Sequence, residues 1–183
     1  MRRFFKLAPV CACFLAVSLP AMAEDATPTA QIGFSPDAKR ASARELVLSL
    51  IDSATSSIRL IGYSFTARDI TDALIRAKQR GVDVRVVLDE KENAKNTTSV
   101  RQIGRLISAG IPTRLDSYFP IQHDKAIVVD GSSTETGSFN FTESAERYNS
   151  ENAVVIWHMP GLAQDMLAHW QSRWDYGHDI QPK

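Results

Sequence analysis

Cysteine is nearly missing from this sequence. Only two are present, Cys11 and Cys13, both near the start of the 183 residues. Beyond residue 23 there is none, which excludes a disulfide framework, a thiolate zinc site and thiol-based catalysis there. Net charge is missing as well, because 21 basic residues balance 21 acidic ones. A global basic field is therefore excluded, and attraction for a polyanion must come from a local patch. Histidine is scarce, at four residues. No cluster of Asp, Glu, His or Cys has metal-ligand spacing, so neither a metal nor another cofactor is expected. The apolar stretch "LAPVCACFLAVSL" falls short of the roughly 20 residues that a membrane-spanning helix needs. Internal repeats and low-complexity segments are absent.

That apolar stretch fits another role. It follows the basic "MRRFFK" and precedes the small residues Ala21 to Ala23, the pattern of a signal peptide. Residues 1–23 are accordingly expected to be a signal peptide. The protein would then be exported, periplasmic or secreted, with no stable membrane anchor after cleavage. Loss of Arg2, Arg3 and Lys6 would leave a net charge of −3. Residues 24–34 are polar with a proline and read as a loose lead-in. Residues 35–183 are expected to form one catalytic domain.

Along that domain, Ala43, Val47, Leu50, Ile51 and Ala54 recur at helical spacing, with Ser35 as the expected cap and Pro36 in the first turn. "SIRLIGYSF" and "VDVRVVLD" read as strands. "TARDITDALIRAKQRG" and "TTSVRQIGRLISAG" read as helices ended by glycine. A short strand "IPTRLD" follows. Then come three strand-like runs, "HDKAIVVDG", "STETGSFNF" and "ENAVVIWH", and a closing helix with Leu162, Met166, Trp170 and Trp174 directed inward. This order predicts an α/β domain: a mixed, largely parallel β-sheet flanked by helices on both faces.

Within "HDKAIVVD", residues two apart point to one face of a strand, so His123 and Lys125 share a face and Asp130 takes the other. A lysine is a poor metal ligand, and the pair suits an anionic substrate. Lys125 would neutralise phosphate oxygens while neutral His123 attacks phosphorus. Downstream, Ser138 and Asn140 again share a face, Phe139 and Phe141 point into the core, and Gly137 permits close backbone approach. Glu151 opens the next strand, where a carboxylate could hold one ring nitrogen of His123. Singly, each of these residues is commonly a surface or turn residue; their joint order favours a catalytic site.

"HDKAIVVD" resembles the HKD motif of the phospholipase D superfamily. "GSFNFTESAERYNSEN" resembles the segment that follows it in the small exported bacterial endonucleases of that superfamily. The resemblance implies a metal-independent phosphodiesterase with a covalent phosphohistidine intermediate. On it, His123 matches the nucleophile, Lys125, Ser138 and Asn140 the phosphate ligands, Glu151 the partner of the histidine, and Asp130 the motif aspartate in a supporting role. Many members carry two motifs in one longer chain, whereas this sequence has one. The reaction needs one histidine to attack and another to protonate the leaving oxygen, which predicts a homodimer with a shared site. His158, His169 and His178 read as surface or packing residues.

Nucleic acid, DNA and possibly RNA, is the expected substrate. Lys91 and Lys95 are candidate backbone contacts, and Tyr63 and Phe65 candidate stacking residues, although the lysine loop also holds Asp89, Glu90 and Glu92. No base-reading motif is present, so cleavage should be sequence-nonspecific. The alternatives are a phospholipase D acting on phospholipid head groups and a non-catalytic nucleic-acid-binding protein. The first would need an exposed apolar docking loop, and the sequence suggests none.

Overall fold

The computed structural model describes residues 27–36 and 42–180. The expected signal peptide lies outside the described residues. Eight strands form one sheet: β1 (Thr29–Ser35), β2 (Ser57–Gly62), β3 (Asp83–Asp89), β4 (Thr113–Asp116), β5 (Lys125–Val129), β6 (Ser133–Gly137), β7 (Glu151–Trp157) and β8 (His178–Asp179). Their order across the sheet is β1-β7-β6-β5-β2-β3-β4-β8. Helices α1 (Ala43–Ser53), α2 (Arg68–Gln79) and α4 (Thr97–Ser108) connect the first strands, with a single turn, α3 (Glu90–Asn93), after β3. The short α5 (Glu143–Arg147) precedes β7, and α6 (Pro160–Tyr176) follows it.

The mixed sheet between helices is as expected, but its balance is not. Among the named strands of the described residues, β2–β3 and β3–β4 alone pair in parallel. The run β5-β6-β7 pairs antiparallel, as do β5 with β2, β7 with β1 and β4 with β8. The three-residue turn from β5 to β6 can only return the chain antiparallel, and the second half of the domain thus departs from the pattern set by the first.

Two further expectations are corrected. The stretch read as a loose lead-in contains β1, which pairs along its whole length with β7. The first helix starts later than expected. Ser42, not Ser35, is its cap and accepts from the Glu45 amide, and Ser35 ends β1.

Elsewhere the local rules hold. Ile70, Ala73, Leu74 and Ala77 form the buried stripe of α2, and Gly81 takes the positive φ that ends it. Asn96 caps α4 by accepting from the Thr98 and Ser99 amides. Neighbouring β2 residues divide the core. Leu60 faces the layer formed by α1 and α2, whereas Ile61 packs with Val87, Ala126, Trp170 and Trp174. The two indoles anchor α6, and Trp170 also donates to the Leu60 carbonyl at 2.9 Å. Leu162 and Met166, expected inward, are only half-buried.

This topology gathers several chain ends at one edge of the sheet. The carboxyl ends of β2, β3 and β6 lie beside the amino ends of β5 and β7. In open α/β sheets that edge is where ligands bind.

Candidate active site

His123 stands at this edge in the loop just before β5, exposed to solvent, and Lys125 opens the strand at 6% exposure. The two are tied directly, because Lys125 Nζ donates to the His123 carbonyl at 2.8 Å. Strand parity therefore predicted their neighbourhood correctly, although His123 precedes the strand. The Tyr63 ring centroid lies 4.6 Å from that of the imidazole and 5.3 Å from Lys125 Nζ, so one aromatic side chain touches both, with a cation–π contact to the lysine. Burial pulls the Lys125 ammonium below the usual lysine range, and the Asp124 and Glu151 carboxylates partly oppose that pull. A hydrogen bond to Glu92 pushes the Tyr63 phenol up.

Strand β6 ends at Gly137, where a Cβ would sit 2.3 Å from the Asn152 carbonyl oxygen. Only glycine tolerates that approach. It lets the Ser138 and Phe139 amides both donate to the Asn152 oxygen, at 3.1 and 3.2 Å. Ser138 Oγ then donates to Glu151 Oε2 at 2.6 Å and accepts from the Asn152 amide at 3.0 Å. Asn149 donates to the other Glu151 oxygen at 3.1 Å. Glu151 was expected to hold His123. Instead its carboxylate is engaged by Ser138 and Asn149, because β6 and β7 pair side by side and bring Ser138 to it. Phe139 and Phe141 are fully buried as expected. Asn140 keeps its side-chain carbonyl buried, without a partner among the described residues.

Two expected site residues, Asp130 and Phe65, lie away from this cluster. Asp130 lies at the far end of β5 from Lys125, five residues or about 16 Å along the strand. Its carboxylate accepts the Thr55, Ser56 and Ser57 amides at 2.8–2.9 Å and two hydroxyls at 2.7 and 2.8 Å. It braces the turn into β2, a supporting role at a distance from the Lys125 end of the strand. Phe65 is fully buried and paired through its backbone with Phe141, so it packs and cannot stack on a base. Lys91 and Lys95 lie at the correct edge, on the turn after β3. Lys91 Nζ, however, donates to the Pro120 carbonyl at 3.0 Å.

Other residues that shape the site escaped the sequence reading. Asp89, which reads as one more charge in a solvated loop, is almost fully buried at the end of β3. Its two oxygens accept the Glu92 and Gln122 amides, both at 2.8 Å. Asn93 donates to the Tyr63 and Asp89 carbonyls at 2.6 and 2.7 Å and accepts the Phe65 amide at 3.1 Å. A polar residue closing an apolar strand was the available signal for Asp89. For Asn93 there was none. Asp124, within the motif itself, pairs with His169 Nε2 at 3.1 Å and with Gln122 at 3.1 Å. These bonds lower its pKa although burial works the other way. Tyr118, Ile121 and Tyr148 are exposed in the loops that precede β5 and β7, which corrects the expectation that no apolar loop is exposed. No helix among the described residues is long and apolar enough to cross a membrane.

The sequence pattern of the family described as "Cardiolipin synthase, PLD-like domain" matches residues 47–174. Among solved structures, the fold is similar to a phospholipase D family member, Nuc from Salmonella typhimurium. That likeness has a TM-score of 0.82 and 56% identity, covering 85% of this chain and all of that one. The chain is also 35% identical over 129 residues to a Phospholipase D of Rickettsia conorii, covering 70% of this chain and 62% of the relative. It is 37% identical over 114 residues to a Mitochondrial cardiolipin hydrolase of Xenopus tropicalis, covering 62% of this chain and 53% of the relative. The chain thus spans between half and two thirds of the length of these two curated relatives.

Proposed function

The chain belongs to the PLD-like domain family, and on that footing we propose that it is a metal-independent phosphodiesterase that cleaves nucleic-acid backbones without sequence preference. The observation that carries this reading is the convergence of His123, Lys125 and the Ser138–Glu151 pair on one solvent-open edge of the sheet. An imidazole nitrogen of His123 attacks phosphorus, forming a P–N bond as the P–O bond to the leaving group breaks. Lys125 stabilises the charge that gathers on the phosphoryl oxygens, and the Ser138 hydroxyl joins it by turning its one proton from Glu151 to the substrate. Water then cleaves the P–N bond and frees the histidine. The leaving oxygen needs a proton, and the same histidine of a second copy supplies it across a two-fold axis. Within one chain, His169 lies beside Lys125 and is bonded to Asp124 at 3.1 Å, and an active monomer would make it the acid instead.

The nucleic-acid preference is supported by the resemblance of the segment from Gly137 to Asn152 to small exported endonucleases and by the polar, open character of the edge. A second reading, hydrolysis of phospholipid head groups, is favoured by one observation: Tyr118, Ile121 and Tyr148 are exposed in the loops that precede β5 and β7. Purified protein in excess chelator, given supercoiled plasmid or phosphatidylcholine vesicles, separates the readings. Nicked and linear plasmid with intact vesicles is expected. Choline release without DNA cleavage would favour the lipid reading, and plasmid binding without cleavage a non-catalytic one.

A further inference from the structure

An open cleft of about 630 Å³ lies between α1, α2, α4 and α5, and five arginines line it. It holds none of the catalytic residues yet sits at the same end of the sheet. Helix α2 begins soon after the carboxyl end of β2, and α5 begins three residues after Asn140. The Thr66 amide, on the cleft wall, donates to the Phe141 carbonyl at 2.9 Å and joins the cleft to the Ser138–Asn140 segment.

The arginines form two tiers. Arg44 and Arg105 bridge helices, bonded to Asp69 and Asp72 of α2. Arg68, Arg101 and Arg147 form the rim and bridge nothing. Among the described residues, each bonds only within its own helix, to Asp72 at 3.8 Å, Thr98 Oγ1 at 3.4 Å and Glu143 at 3.5 Å. The Arg68 and Arg147 side chains are 83% and 64% exposed. Such long, solvated contacts exchange readily for a better anion. Burial, and then neighbouring Asp69, push the Glu146 carboxyl up to about 8, so near neutral pH it carries no charge. Three carboxylates, Asp69, Asp72 and Glu143, then face five guanidiniums. A protein with no net charge has concentrated positive charge here.

We propose that this cleft binds the phosphates that flank the scissile bond of a nucleic acid, through Arg68, Arg101 and Arg147. The inference rests on the nuclease reading and deepens it. A substrate with one phosphodiester engages Lys125 and Ser138 alone; a polymer engages the cleft as well.

The test compares wild type with an Arg68→Ala, Arg101→Ala, Arg147→Ala triple variant on long double-stranded DNA and on bis(p-nitrophenyl) phosphate. The ratio of kcat/KM for DNA to that for the small diester should fall at least tenfold, chiefly through KM. The plot of log kcat/KM for DNA against log salt should become shallower by roughly 2.7, about 0.9 per lost phosphate contact. The corresponding triple lysine variant should restore most of that slope. An unchanged ratio and slope in the alanine variant would overturn the cleft and leave the nuclease reading standing. Wild type that splits the small diester but leaves DNA intact would overturn both.

Discussion

Asp89 accepts the backbone amide of Gln122 at 2.8 Å, one residue before His123. Both residues are about 2% exposed, so this charge-assisted bond is sheltered from water. It fixes the loop that carries His123, the proposed nucleophile, to the end of β3. Asp89→Ala removes the acceptor for two buried amides and should cost about 2–4 kcal/mol in chemical denaturation. Misplacement of His123 should lower kcat on bis(p-nitrophenyl) phosphate by about ten- to a hundredfold. Asp89→Asn, which keeps one acceptor oxygen, should lose less of both. Unchanged kcat in the alanine variant would show that the loop is held by other means.

Lys125 gives the reaction an alkaline limit. Burial lowers its pKa, so it sheds its proton at a pH below the ordinary 10.5 of a lysine. The charged form is the one that stabilises the phosphoryl oxygens, so kcat/KM should decline as pH rises through that lowered value. Lys125→Arg keeps its charge over the whole range. It should be less active at pH 7, because the guanidinium fits the site differently, but its alkaline decline should vanish. A decline that persists in the arginine variant assigns the limb to another group.

The shared site is tested by mixing. Wild-type and His123→Ala chains, allowed to re-associate, form heterodimers with one reactive imidazole. That imidazole can attack or protonate, not both, so a heterodimer should fall far below half the wild-type activity. The loss of general acid catalysis alone is worth about a hundred- to ten-thousandfold. Half activity would mean independent sites.

Asp130 makes a prediction about folding rather than turnover. Burial would raise its pKa, but the bonds from Ser57, Thr55 and Ser56 prevail and bring it down to about 2. A lowered folded-state pKa contributes stability that is complete above the unfolded value near 3.8 and is lost as pH falls through about 2. Asp130→Asn tolerates the positive φ of 54° found there. It should cost about 1–2 kcal/mol at pH 7, allowing for solvent screening, and the gap from wild type should close toward pH 2. Activity per folded molecule should be unchanged. A large kcat loss in a fully folded variant would return Asp130 to the catalytic centre.

The helices and the central strands were legible because their signals are local. The stripe from Ile70 to Ala77 and the stop at Gly81 need no knowledge of the rest of the chain. The same holds for His123 and Lys125, two residues apart. What escaped was set by distant partners. The "TAQIGFS" segment is a strand only because β7 pairs with it, and most of its side chains are exposed, so hydrophobic patterning could not mark it. Glu151 was placed correctly at a strand start, but β6 beside it brings Ser138 to its carboxylate. Phe65 follows a strand, a position open to a stacking residue, and only the fold shows that it pairs with Phe141 inside the core. Asp89 looked solvated because sequence charge carries no information about which amides lie above it.

The pairing of β1 with β7 also sets a timetable. Strand β1 is synthesised before every other element of the sheet, yet Thr29 must wait for Trp157 and Ser35 for Glu151. Closing that pairing spans most of the domain and is slow relative to forming the local βα units. During translation the growing chain can assemble β2, β3 and their helices while β1 has no partner. Until β7 arrives, β1 has no native strand to pair with, and its free edge is open to pairing with other chains. Glu151 begins the strand that ends this wait, so β1 finds its partner at the same moment that Ser138 gains Glu151 at the candidate active edge, and only α6 and β8 remain to be added.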